Sequence, residues 1–255
     1  MENEFIIGIH PILEKLKASP EEISVILLAR GPLRPTLKSL ESEAQKLQIK
    51  IQFMDAKELD YLALGQSHQG ALARVRPYSY LPLSELERTL ASEASPQRIV
   101  ILDGITDPRN FGAILRTAEA VAVGHIIIPK DRSVRITPIV LRTSAGAVNH
   151  LRIYRVTNLR RAIASLKKSG FWIAGLDANA RTSYETIKYP DKLGIVLGSE
   201  GRGLRPLISY ECDYLVRIPM KGRITSLNVS VAAAILLYEV SRQHGDIDKG
   251  KPNGY

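Results

Sequence analysis

Residues 98–129 read RIVILDGITDPRNFGAILRTAEAVAVGHIIIP. Two short apolar runs, RIVILDG and HIIIP, flank a helical pattern from about Asn110 to Val121. Runs of that length bounded by Gly, Asp and Pro read as buried strands. The alternation continues downstream: a helix near Pro138 to Ala147, LRIYRV as a strand, LRRAIASLKKS as a helix, then GFWIAGLD, LGIVLGSE and YLVRIPM as strands. A last helix runs from Asn228 to about Arg242. Strands that alternate with helices predict a mainly parallel sheet covered on both faces.

Upstream of Arg98 the chain changes character. Residues 1–77 read as a separate small α/β unit, with EISVILLAR, IKIQFM and GALARVRPY as strands and TLKSLESEAQKLQ as a helix. Asp55 and Glu58, three residues apart ahead of an apolar run, mark the start of another helix. Residues 78–97, rich in Pro, Ser and Ala with one short helical piece, read as a linker. The pattern divides the chain into 1–77, a linker 78–97, a larger unit 98–245 and a tail 246–255 that reads as disordered.

Composition narrows the class. The 255 residues suffice for a sizeable core, and 45% hydrophobic with 24% charged residues is an ordinary globular balance. MENEFIIGIH carries no basic segment followed by a long apolar stretch, and VAAAILLYEV is far shorter than the roughly 20 residues of a membrane span, so a cytoplasmic protein without membrane attachment is expected. Cys212 is the only cysteine, which excludes an internal disulfide and any multi-cysteine metal site and reads as a small core residue. The net charge of +9 points to a polyanionic partner. Residues 1–80 are neutral in sum, whereas residues 130–168 hold ten Lys and Arg against the single acid Asp131, a one-sidedness that favours phosphate contact.

Three loops follow strands: DGITDPRNFGAILRTA at 103–118, GSEGRGL at 198–204 and IPMKGRITSLNVSVA at 218–232. Ligands of open α/β sheets gather outside the carboxyl ends of strands. Neither the G-x-G-x-x-G of a dinucleotide fold nor the G-x-x-x-x-G-K-[ST] of a P-loop follows the strand at 98–103, so both common nucleotide sites are disfavoured. Gly198, Gly201 and Gly203 would let backbone approach a ligand closely. Asn110 and Asn228 each stand near a helix start, where asparagine commonly caps free N–H groups. Glu200 sits in the glycine turn, either to orient another group or to cap a helix near Leu204.

Taken in order and spacing, DPRNFGAILRTAEA, GSEGRGL and IPMKGRITSLNVSVAAAILLYE resemble the three motifs of the SpoU (TrmH-like) family of RNA ribose 2'-O-methyltransferases, within the SPOUT superfamily. GIHPILEKL and HQGALA resemble the RNA-binding amino-terminal domain of the bacterial ribosomal-RNA members, itself similar to ribosomal protein L30e. The resemblance covers nearly the whole chain. It implies a trefoil-knotted, mainly parallel α/β methyltransferase domain preceded by a small L30e-like RNA-binding domain. Its nearest members methylate a guanosine ribose in the peptidyl-transferase loop of 23S ribosomal RNA with S-adenosylmethionine, so that RNA, that cofactor and a homodimer without metal are implied. Methylation of another ribosomal nucleotide or of tRNA, or RNA binding without catalysis, are the other readings.

The family's motif positions fall on Asn110, Arg116, Glu200, Ser226 and Asn228 as catalytic residues, and on Leu197, Gly198, Gly201, Ile218 and Leu227 as the cofactor's surroundings. Read from the helix alone, Arg116 is a surface arginine able to pair with Glu119 or Glu200. The resemblance implies instead that it activates the ribose hydroxyl. A guanidinium stays protonated, so a charge that holds the target phosphate and stabilises the developing alkoxide is the better chemistry. His68, in the HQG stretch, reads either as an RNA contact or as a structural histidine.

Overall fold

The computed structural model describes residues 4–32, 34–75, 78–92 and 97–245. The chain divides into two units, Met1–Ser79 and Tyr80–Tyr255. The first contains β1 (Glu4–Ile7), α1 (Ile9–Ala18), β2 (Ile23–Ala29), α2 (Pro35–Lys46), β3 (Ile51–Met54), α3 (Ala56–Leu62) and β4 (Ala71–Val75). Its sheet has the order β1-β4-β2-β3, with β2 and β3 parallel and β4 antiparallel to both of its neighbours. The apolar run of β2 is buried on both faces because each face has its own cover. Ile26 and Leu28 pack with residues of α1 and α2, while Val25 and Leu27 pack with Leu59 of α3. The helix start marked by Asp55 and Glu58 is present: the Glu58 carboxylate accepts the Asp55 N–H at 3.1 Å.

The second unit contains α4 (Leu83–Ser92), β5 (Gln97–Asp103), α5 (Pro108–Ala120), β6 (His125–Pro129), α6 (Pro138–Thr143), β7 (Arg152–Val156), α7 (Leu159–Lys168), β8 (Trp172–Leu176), β9 (Thr182–Ser183), β10 (Lys192–Gly198), α8 (Pro206–Tyr210), β11 (Tyr214–Arg217) and α9 (Val229–Gln243). Its sheet has seven strands in the order β7-β6-β5-β10-β8-β11-β9. Every pairing in it is parallel. The interior strands β5 and β6 are buried at every residue, the pattern of a parallel sheet covered on both sides. Leu86 and Leu90 of α4, Leu159, Ile163 and Leu166 of α7 and Ile208 of α8 share one core with Ile99, Ile101 and Val196 of the sheet. Helices α6 and α9 both pack against α5, and α9 also meets β10.

Residues 78–97, read as a linker, carry α4, whose leucines at 86 and 90 recur at helical spacing and are buried in that core. Leu81 bridges Tyr154 of β7 in parallel. The helix expected near Pro138 to Ala147 is shorter than its apolar pattern: α6 ends at Thr143, and left-handed backbone at Ala145 and Gly146 leads into a separate 3₁₀ turn, Ala147–His150. The two-residue strand β9 and the short α8 have no periodic signal in the sequence. The tail 246–255 lies outside the described residues.

Candidate active site

Because the seven strands are parallel, their carboxyl ends share one edge, and the loops after β8, β10 and β11 meet there around a cavity of about 720 Å³. Strand β10 lies between β5 and β8, and its last residue, Gly198, pairs with Asp103 at the end of β5. The chain then turns back on itself: Ser199 and Gly203 exchange backbone hydrogen bonds of 3.1 and 2.9 Å. A side chain at Gly198 would collide with the Gly203 carbonyl and reach 2.5 Å from the Leu204 nitrogen, so the tight turn requires glycine there. Its far end is pinned by Asp103, whose buried carboxylate accepts the Arg205 backbone N–H at 2.9 Å and the Arg205 Nε at 2.6 Å. Two charge-assisted bonds to a buried carboxylate hold the turn against the sheet.

On the rim of the cavity three side chains from distant parts of the chain form a closed triangle. Glu200 Oε1 accepts from Asn110 Nδ2 and, at 3.0 Å, from Asn228 Nδ2; Asn228 Nδ2 also donates to Asn110 Oδ1 at 2.9 Å. Asn228 is the N-cap of α9, its Oδ1 accepting the Ser230 and Val231 N–H groups at 2.9 and 3.4 Å, which leaves its Nδ2 free to turn toward Glu200. Asn110 does not cap. Asp107 caps α5, accepting from the backbone of Arg109 and Asn110. Asn110 therefore sits in the first turn with its side chain available to the neighbouring loop.

Of the residues singled out in the sequence, Leu197, Gly198, Gly201, Ile218 and Leu227 line the cavity, together with Glu200, Ser226 and Asn228. Ser226 is exposed. Arg116 is not drawn into the triangle. It lies on the exposed face of α5, opposite the buried Phe111, Ile114, Leu115 and Ala118, and makes no side-chain hydrogen bond or ion pair among the described residues. Glu200 is thus bound to the two asparagines, and the alternative that it caps a helix near Leu204 is not what the structure shows. Sequence reasoning missed Asp103 and Arg205, and also Asp177 and Asn179 on the β8 side of the cavity. An acid closing an otherwise apolar strand was the available signal for Asp103.

The remaining candidates are structural. Cys212 packs against the core, its thiol donates to the Ile208 carbonyl at 3.4 Å, and burial pushes its pKa up to about 12, so it stays a thiol at neutral pH. His68 Nδ1 accepts the Gly70 N–H at 3.0 Å, and Nε2 meets Asp60 Oδ1 at 3.0 Å, which locks the imidazole as a brace for its own loop. Among the described residues no group of three or more His, Cys, Asp or Glu is placed to hold a metal ion, and no helix is long and apolar enough to cross a membrane.

Comparison with known proteins bears on the family. Residues 97–238 match the model of the SpoU rRNA Methylase family, and residues 5–81 match that of the RNA 2'-O ribose methyltransferase substrate binding domain. A protein of Staphylococcus epidermidis assigned to the TrmH family of tRNA/rRNA methyltransferases is 41% identical over 249 residues, covering 98% of this chain and 99% of its own. One of Bacillus subtilis with the same assignment is 37% identical over 246 residues, covering 96% and 98%. Among solved structures, the SpoU methyltransferase AviRb from Streptomyces viridochromogenes, in complex with AdoMet, superposes with a TM-score of 0.64 at 23% identity over 94% of this chain and 90% of that one. The A. aeolicus TrmH/SpoU tRNA modifying enzyme superposes with a TM-score of 0.54 at 28% identity over 65% and 86%.

Proposed function

This chain belongs to the SpoU rRNA methylase family, and from that premise we propose that it transfers a methyl group from S-adenosylmethionine to the ribose 2'-hydroxyl of a guanosine in 23S ribosomal RNA. The observation that carries the reading is the Asn110–Glu200–Asn228 triangle on the rim of a glycine-walled cavity. The cavity fits the cofactor. Its glycine wall leaves open space, since a Cβ at Gly201 or Gly203 would meet nothing within 4 Å, and Leu197, Ile218 and Leu227 give an apolar lining in which backbone groups supply the polar contacts. When bound, S-adenosylmethionine supplies an electrophilic methyl group on a sulfonium.

The chain's own contribution is placement and charge. In-line displacement requires the acceptor oxygen at near-attack distance from the methyl carbon, and the 2'-hydroxyl must lose its proton as the bond forms. Glu200, held by both asparagines, fixes the glycine turn to the starts of α5 and α9, so donor and acceptor loops keep one geometry. Ser226, exposed at the cavity, is in position to hold the acceptor ribose. Arg116, exposed and without an internal partner among the described residues, supplies the charge that grips the target phosphate and stabilises the developing alkoxide. The trefoil-knotted path, a homodimer built on the exposed Val231 and Tyr238 of α9, and a cytoplasmic setting belong to the same reading. The first unit, matched by the substrate-binding model, presents the RNA.

The test is to incubate the protein with S-adenosylmethionine and unmethylated ribosomal RNA and to map 2'-O-methyl groups by resistance to alkaline cleavage. One new methyl group on a guanosine of the peptidyl-transferase loop is expected. Arg116→Ala and Arg116→Lys should both lower the rate ~100-fold or more while cofactor affinity holds, because an ammonium does not replace a planar fork. Methylation elsewhere, or of tRNA, would overturn the substrate assignment. A lack of methylation on both naked RNA and immature subunits would overturn the activity.

A further inference from the structure

The ten basic residues between 130 and 168 are contiguous in sequence, but the fold separates them into two sets. Helix α7 carries four of them in two pairs. Arg160 and Lys167, seven residues apart and so on one helix face, are consumed internally: Arg160 Nε meets Glu211 Oε1 at 2.5 Å and Lys167 Nζ meets Asp213 Oδ1 at 2.8 Å. Arg161 and Lys168, one position on and therefore rotated toward α4, are exposed and make no side-chain hydrogen bond or ion pair among the described residues.

These two cations line a second cavity of about 560 Å³, between α4 and α7 at the carboxyl end of β7. Arg155 lines it as well, steadied by its NH2 group donating to the Lys130 carbonyl at 2.9 Å and by its guanidinium lying 5.3 Å from the Tyr80 ring centroid. The lone acid in its wall, Glu87, accepts the Ser165 hydroxyl and keeps its charge, so the wall sets three cations against one carboxylate. Strand β7 is parallel to β5 and β10, so the end of this cavity at Val156, Thr157 and Asn158 lies on the same edge of the sheet as the candidate active site, and α7 carries its other end, at Lys168, toward the opposite edge. The ground between them carries two cations against one exposed acid, Asp131. Lys130 and Arg132, both exposed, follow β6, and the Arg132 carbonyl lies close to Gly104, which in turn adjoins Ser199 of the glycine turn.

We propose that the α4–α7 cavity and the basic ground beside it form a track for the RNA phosphodiester backbone, so that the catalytic unit grips its substrate independently of the first unit. The proposal rests on the RNA reading above. A guanidinium and an ammonium on one wall and a fixed guanidinium at the end, against the single carboxylate of Glu87, make a net positive surface complementary to successive phosphates.

The test uses the full-length protein, with ribosomal RNA binding followed by fluorescence anisotropy across a series of salt concentrations. The variant Arg161→Ala/Lys168→Ala should lose affinity on the order of tenfold, and the slope of log affinity against log salt should fall by about 1.4–1.8, the value for two lost phosphate contacts. Arg160→Ala/Lys167→Ala, which removes the two cations already paired, should leave the slope unchanged. Binding of S-adenosylmethionine serves as the folding control for both. An unaltered slope and affinity in the first variant, with wild-type binding steeply salt-dependent, would overturn the track and leave the activity standing. A wild-type protein that does not bind RNA would overturn both.

Discussion

At Gly198 the last residue of β10 passes directly beneath the returning Gly203 carbonyl, whereas at Gly201 an added methyl group would meet nothing within 4 Å. Both glycines stand in the same short turn, yet they answer to different constraints. Gly201 is there for its left-handed backbone, φ 77°, and Gly201→Ala should cost only about 1–2 kcal/mol of conformational strain. Gly198→Ala must push the turn off the sheet, which overpacks a close-packed region at about 3 kcal/mol and deforms the wall of the proposed cofactor cavity as well. Chemical denaturation and cofactor titration of the two variants check the ranking: equal losses, or the reverse order, would refute it. The glycines were legible because their spacing after an apolar strand is a local pattern. The buried Asp103–Arg205 bond was not, since it joins residues 102 apart and nothing around either one records the other. Arg116 shows the same limit from the other side. Its position on α5 could be read, but whether a carboxylate turned toward it could not, and Glu200 turned to Asn110 and Asn228 instead.

Among the helices, the contact of α5 with α6 is set by Gly112. A methyl group there would run into the Thr143 hydroxyl, and would lie 2.8 Å from Thr143 Cβ and 3.0 Å from the Val140 carbonyl. Thr143 is not free to swing away, because its Oγ1 donates back to the Ile139 carbonyl at 2.9 Å. Gly112→Ala should therefore destabilise the protein by about 1–3 kcal/mol. Thr143→Ala removes the hydroxyl contact but keeps the Cβ, so it should relieve part of that loss, and the double variant should be more stable than the sum of the single changes by ~1 kcal/mol. Strict additivity would mean that the helices part rather than clash. Elements with strong local patterns are legible in the sequence, and those set by tertiary context are not. The strands β5, β6 and β10 and the helices α7 and α9 carry unbroken periodic patterns. In the stretch from Pro138 to Ala147 the apolar pattern runs past the end of α6, where Ala145 and Gly146 turn left-handed. There the tertiary context decides, and periodicity has no access to it.

At the scale of the whole chain, the cavity and the triangle lie within the second unit, Tyr80–Tyr255, and the charge surplus of residues 130–168 lies there too. Residues 80–255 produced alone should keep their affinity for S-adenosylmethionine to within about threefold, since the described residues that line the cavity belong to the second unit, and should lose RNA methylation more than cofactor binding. Calorimetric titration and the methylation assay separate the two, and a truncated chain that no longer binds the cofactor would show that the unit is not self-sufficient. The triangle has one more consequence, for the order of events during synthesis. Asn110 and Glu200 are 90 residues apart and Asn110 and Asn228 are 118 apart. A nascent chain that has already emerged with β5, α5 and β10 still lacks the third corner. The triangle closes only when α9 arrives, so an unfinished copy of this protein can carry most of the sheet and none of the completed candidate centre.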